Sequence, residues 1–160
     1  MAKKLTHYQA AGFYLISKLA EGSMKVGILT TSQNIAKGDA LYDAGSGLLS
    51  AQTSDFTAAF KGIAAEAVDD SAGAGGKTIK YIAPFAANQF AVPAATTTLA
   101  QTDVGELIDL DNDANTVNPG DTITTGWAFV VDNIDISAEA VAANTQGYAI
   151  GHFEMRAAQS

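Results

Sequence analysis

The chain has 160 residues, a net charge of −8 and no cysteine. This length suits one buried core and is too short for two ordinary domains. The absence of cysteine excludes disulfides, thiolate metal sites and cysteine nucleophiles.

The charged residues are few and unevenly distributed. Only 16% of the residues are charged, against roughly 25% in an average soluble domain, and a sparsely charged surface suits a protein that binds partners or its own copies. Residues 1–100 carry 8 lysines and 7 acidic residues, whereas residues 101–160 carry 10 acidic residues and one arginine. An acidic surface repels phosphate backbones, so no nucleic acid is expected as a partner. No apolar run approaches the roughly 20 residues of a membrane span, so no membrane is expected either.

Residues 1–23 form a leading segment that differs from the rest of the chain. Thr6 and Gln9 have the spacing of a helix capping box. Apolar residues recur at helical spacing before Gly22, at Phe13, Ile16, Leu19 and Ala20. Gly12 weakens such a helix. Two interpretations therefore stay open, a short helix packed on the domain or an arm that becomes ordered on a partner.

From Met24 onward the sequence consists of short β-like runs separated by turn-forming residues. The predicted strands are Lys25–Thr31, Ala40–Tyr42, Leu48–Ala51, Phe60–Val68, Lys77–Ala83, Gln89–Val92, Glu106–Leu110, Trp127–Asp132 and Tyr148–Glu154. Trp127 and Phe129 alternate with small or aliphatic residues, so both are expected to face the core. Many closely spaced strands predict a mainly β fold, with a single compact β-sandwich or β-barrel domain over residues 24–160.

Turns and one helical turn complete this prediction. The turns are expected at residues 43–47, 69–76 and 118–121, where Gly, Asp, Asn and Pro cluster. Ser137 can cap a short helical turn over Ser137–Ala143.

A glycine-rich stretch, Ser71 to Thr78, nearly matches the phosphate-binding pattern G-x-x-x-x-G-K-[ST]. Ser71 replaces its first glycine, and the pattern requires a helix after Lys77 and Thr78. Residues 78–82 alternate as a strand does. The stretch therefore predicts a long turn, and no nucleotide or other cofactor is expected.

The acidic run from Asp109 to Asp113 begins as a calcium-binding loop does. Ala114 and Gly120 occupy the positions at which that loop needs a glycine and a bidentate glutamate. A solvated acidic turn is the favoured interpretation. A weak divalent-cation site with Asp109, Asp111 and Asp113 as ligands is the alternative.

Acid–base and nucleophilic chemistry has few candidate residues. The histidines are His7 and His152, and no nucleophile-elbow or zinc-protease motif is present. The strand position of His152 is typical of a structural histidine. No catalytic residue is expected, and an enzyme would require buried carboxylates beside His152.

Several segments resemble tailed-phage capsid decoration, or cement, proteins. Thr6-His7-Tyr8-Gln9 ahead of a Gly/Ala-rich β domain resembles the start of lambda-type head decoration proteins. Lys37–Leu41, followed by a glycine turn and Leu48–Ala51, is similar to the broader cement group. Lys61–Val68, followed by a small-residue turn and Lys77–Ile82, is similar too.

The resemblance implies a β-tulip-like domain with an N-terminal arm over residues 1–23. It implies a homotrimer in the virion, made in the host cytoplasm, that binds the major capsid protein on the capsid exterior and catalyses nothing. The implied capsid-binding residues of the arm are Leu5, Thr6, His7, Tyr8, Gln9, Phe13 and Ile16. A phage tail or baseplate component and a small β-barrel carbohydrate-binding module stay open as alternatives.

Overall fold

The computed structural model describes residues 12–52 and 54–156. The strands are β1 (Tyr14–Leu15), β2 (Met24–Leu29), β3 (Asn34–Ile35), β4 (Ala40–Gly45), β5 (Leu48–Ala51), β6 (Phe60–Ala64), β7 (Val68–Asp69), β8 (Thr78–Ile82), β9 (Phe90–Pro93), β10 (Leu107–Leu110), β11 (Val117–Thr122), β12 (Gly126–Asp135) and β13 (Tyr148–Arg156). The helix α1 (Ala138–Ala143) lies between β12 and β13, and a 3-10 turn, Gln101–Asp103, precedes β10. The fold is mainly β, as the strand pattern predicts.

Five strands close into a small barrel in the order β2-β5-β4-β6-β8. The barrel interior is filled by aliphatic side chains, namely Leu29, Ile35, Leu41, Leu49, Ala64 and Ile79. Gly27 lies on β2 against this interior, and a Cβ atom there would collide with Leu49 Cδ1. The barrel is therefore a packed core, as expected for a barrel of so few strands.

A six-stranded sheet, in the order β1-β9-β13-β12-β10-β11, packs against the barrel. Its strands pair antiparallel throughout. Between sheet and barrel lies the larger core, which includes Phe56 and Phe60 from the barrel side and Phe90, Phe129 and Phe153 from the sheet.

Neighbouring residues of the shared barrel strands serve two cores. Ala40 on β4 and Ile63 on β6 belong to the core against the sheet, whereas Leu41 and Ala64 belong to the barrel interior. This follows from the period of a strand, in which successive side chains point to opposite faces. One wall of the barrel is therefore buried on both faces.

Each predicted strand overlaps an observed one, and Ser137 caps α1 by accepting a hydrogen bond from the Ala140 N–H. The prediction of one strand over Phe60–Val68 is wrong, because β6 ends at Ala64. Val68 then pairs with Ile35 in a separate two-stranded sheet, β3-β7.

The turn predicted at residues 118–121 is wrong, because these residues lie inside β11. Pro119 lacks an N–H and is tolerated because β11 is the last strand of the sheet, with β10 as its neighbour on one side.

A helix is also wrong for residues 12–23. The chain forms β1 there, with Tyr14 opposite Ala91 and Leu15 opposite Phe90 on β9. Gly12 has a φ of 91°, which a helix does not contain. Tertiary pairing thus decides the conformation of a segment whose apolar spacing also fits a helix.

Candidate functional site

The predicted arm residues fall into two groups. Leu5, Thr6, His7, Tyr8 and Gln9 lie outside the described residues. Phe13 is 2% exposed, and its ring lies 5.5 Å from Phe129 and 5.3 Å from Phe153 between centroids. Ile16 is half-buried next to β1. Phe13 therefore anchors the leading segment to the domain, and of these two residues Ile16 retains some surface.

An apolar cleft of about 270 Å³ lies where β1 meets the barrel. Its lining includes Phe13, Leu15, Met24, Ala65 and Ile82, with Lys37 as the charged residue. β1 is the edge strand of the six-stranded sheet and pairs with β9 on one side. Edge strands beside apolar clefts are the places at which an extended chain can add to a sheet.

A second apolar surface, the barrel stripe, adjoins the cleft at Met24 and consists of Met24, Val26, Ile28 and Leu48. The first three alternate along β2 and therefore point to the same face, and Ile28 is level with Leu48 on the parallel strand β5. Their exposed fractions are 45%, 65%, 47% and 36%. Sequence reasoning missed this surface because Met24, Val26 and Ile28 alternate as the buried face of a strand does. The face that packs inside the barrel is the opposite one, which includes Gly27 and Leu29.

Three carboxylates from distant parts of the chain meet at Asp55, Asp109 and Asp121, with ligand atoms within 4.8 Å of one another. Asp109 Oδ1 accepts hydrogen bonds from the N–H groups of Phe56 and Leu110, at 2.7 Å and 2.8 Å. Burial raises the pKa of Asp109 to about 6; the two N–H groups oppose this rise, and the charges of Asp55 and Asp121 add to it. Oxygen ligands of this kind suit a hard divalent cation.

The cation site on Asp109, Asp111 and Asp113, which was the alternative to a solvated turn, is not formed among the described residues. Asp113 Oδ1 instead accepts from the N–H groups of Asn115 and Thr116 and from the Thr116 hydroxyl, so it stabilises the turn. Asp111 accepts from the Thr96 hydroxyl at 2.8 Å. Asp109 groups with Asp55 and Asp121, and no sequence spacing links these three positions.

The glycine-rich stretch behaves as a turn. Thr78–Ile82 is strand β8, so no helix follows Lys77 to bind a phosphate with its N-terminus. The Lys77 ammonium donates to the backbone carbonyl of Asp69 at 2.7 Å and so closes the turn.

His152 joins a row of polar groups on the outer face of the sheet. Its Nδ1 lies 2.8 Å from Asp132 Oδ2 and its Nε2 lies 2.6 Å from Glu154 Oε2. Arg156 Nη2 continues the row 3.3 Å from Glu154 Oε1. Both carboxylates are about one third exposed, whereas the enzyme interpretation requires buried ones.

Burial alone lowers the pKa of His152. Hydrogen bonds and charges of Asp132 and Glu154 outweigh that effect and raise the pKa above its ordinary value. The arrangement favours the protonated form of the imidazole and cross-links β12 to β13.

Comparison with known proteins finds no family model and no curated protein that matches the chain. Within the described part of the chain, no helix has the length and apolar character needed to span a membrane.

Proposed function

We propose that the protein is a non-catalytic structural component of a tailed-phage head. In this proposal it binds the major capsid protein on the outside of the expanded shell and clamps adjacent capsomers, as the resemblance of residues 6–92 implies. The sparsely charged, mainly β chain is consistent with such a role.

The observation that carries the proposal is the apolar cleft beside the edge strand β1. Leu15 on β1 and Ala65 after β6 line it, and the leading segment continues from β1 toward residue 1. A strand of the capsid protein that entered this cleft would gain backbone hydrogen bonds from the sheet edge and contacts for alternate side chains.

The energetics suit a partner that appears only in the mature shell. Ordering an arm on its partner costs about 2–5 kcal/mol, so binding needs a complementary edge or groove that is already formed. A homotrimer would present three such clefts, and multivalent attachment raises the overall affinity without new contacts.

Co-sedimentation with expanded, undecorated heads and with unexpanded precursor shells tests the proposal. We expect saturable binding of the wild type to expanded heads alone. Ala65→Glu places a charge in the cleft and should weaken binding at least tenfold, about 1.4 kcal/mol. Deletion of residues 1–11 should also weaken it.

The control is Met155→Glu, which changes an exposed apolar residue on β13 that does not line the cleft. This variant should bind expanded heads as the wild type does. Absence of wild-type binding to either shell would contradict the proposal and favour a tail component. Undiminished binding by Ala65→Glu would exclude the cleft as the contact.

A further inference from the structure

The barrel stripe lacks the polar residues that the solvated face of a sheet usually carries. On β2 the outward side chains are Met24, Val26 and Ile28, and Val26 is the most exposed large apolar residue of residues 12–52 and 54–156. Polar residues normally occupy outward positions when one face of a sheet is solvated. A row of apolar residues in register across two strands is typical of a protein-binding surface.

A basic residue flanks this stripe. Lys80 on β8 lies directly opposite Val26 and is exposed. Glu66 lies beside Lys80, since its Oε2 accepts from the Lys80 backbone N–H at 2.8 Å. The stripe therefore fits an apolar surface with an acidic rim.

The chain carries a surface of that kind at α1, which we call the α1 patch: Ile136, Val141, Asp135 and Glu139. Ile136 is 47% exposed and Val141 is 39% exposed. They occupy the N′ and N4 positions around the Ser137 cap, which lie side by side at a helix start. Asp135 and Glu139 flank them, and residues 101–155 contain no lysine or arginine.

We infer that the barrel stripe of one copy binds the α1 patch of a second copy. Apolar residues meet apolar residues, and Lys80 beside the stripe meets Asp135 and Glu139 of the patch. Such charge complementarity sets the register and speeds association. The two surfaces differ, so the contact is heterologous and leads to a ring if the rotation closes and to a chain if it does not. This inference goes beyond shell binding and holds whether or not the proposed function is right.

Sedimentation velocity on purified full-length protein tests the inference without any shell. The wild type should associate in a concentration-dependent way, and higher salt should weaken association because the rim charges are screened. Val26→Asp and Ile136→Asp should each weaken association at least about thirtyfold, since each buries a carboxylate in one apolar surface. Both side chains are largely exposed in a single copy, so circular dichroism should show both variants folded.

Mixing the two variants distinguishes the inferred contact from a symmetric one. Val26→Asp retains an intact α1 patch and Ile136→Asp retains an intact stripe, so an equimolar mixture should form a dimer with one intact contact. A stripe-to-stripe contact would instead let Ile136→Asp associate on its own, and a patch-to-patch contact would let Val26→Asp associate on its own. Met155→Asp is the control, since Met155 is 49% exposed and belongs to neither surface, and it should associate as the wild type does.

Three results would overturn the inference: a wild type that stays monomeric, undiminished association of either variant, or a mixture that remains monomeric. The proposed function fails by a different result, the absence of shell binding. Ala65→Glu alters the cleft and leaves Val26 and Ile136 in place, so the two failures are distinguishable.

Discussion

The surroundings of His152 favour its protonated form. Both ring nitrogens face carboxylates, at 2.8 Å and 2.6 Å, and a neutral imidazole can donate to only one of them. Gln89 Nε2, from the residue just before the neighbouring strand β9, also reaches Asp132 Oδ2 at 3.4 Å. Arg156 approaches Glu154 from the other side. Loss of the proton would leave one of the two carboxylates without a hydrogen bond from the imidazole.

This geometry predicts how stability depends on pH. The pKa of His152 is raised in the folded state, so its stabilising effect is complete below its unfolded pKa of about 6.5 and is lost as pH rises through the folded pKa. We expect the free energy of unfolding of the wild type to exceed that of His152→Gln most at acidic pH. Denaturant titrations of both proteins across this range measure the difference. A difference that stayed constant or grew with pH would contradict the prediction.

At the scale of elements, Gly151 allows β13 to pair closely with β12. A Cβ atom at this position would collide with the Val130 carbonyl oxygen and lie 3.0 Å from Phe129 Cε2. The pairing of β12 with β13 also changes register between Val131 and Asn133, as it does at a β-bulge. The close contact is one that a strand pattern alone does not indicate.

We expect Gly151→Ala to lower the free energy of unfolding by about 2–3 kcal/mol, because a backbone carbonyl cannot move aside as a flexible side chain can. Chemical denaturation measures the change. Gly105→Ala is the matched control, since Gly105 has a φ of 94° but open space around its Cβ position. It should cost about 1 kcal/mol, through backbone strain alone. Equal costs for the two substitutions would show that the close contact has no effect.

For the whole molecule, Phe153 is the residue that joins barrel and sheet. Its ring lies 4.9 Å from Phe60 and 5.6 Å from Phe56, which flank the barrel, and 5.5 Å from Phe90 and 5.3 Å from Phe129, which belong to the sheet. Phe13 of the leading segment contacts the same ring. Barrel, sheet and leading segment therefore share one core.

We expect Phe153→Ala to destabilise both parts together by about 3–5 kcal/mol, because it leaves a cavity at their junction. Trp127 fluorescence reports on the sheet, and hydrogen exchange of β4 and β6 reports on the barrel. Both measurements should show the same loss in the free energy of unfolding. Phe85→Ala, at a ring that is 42% exposed, should cost less than about 1 kcal/mol. Barrel protection that survived Phe153→Ala would show that the two parts unfold separately.

Local patterns in the sequence predicted much of the fold. Alternation placed Trp127 and Phe129 on the face that contributes to the larger core, and the Ser137 cap marked the start of α1. Strand β11 was mistaken for a turn because Pro119 and Gly120 are turn residues in most settings, and an edge position is not visible locally. The candidate surfaces were less predictable, since exposure of Val26 depends on what packs against β2.

By itself, the sequence determined the β class, most strand positions and the acidic C-terminal third, because these depend on residue type and on a period of two along the chain. Only the tertiary structure decided that the strands form both a barrel and a sheet, that Phe13 belongs to their shared core and that Asp55, Asp109 and Asp121 meet. Those features depend on pairings between distant segments, and the local spacing of residues does not indicate which strands pair.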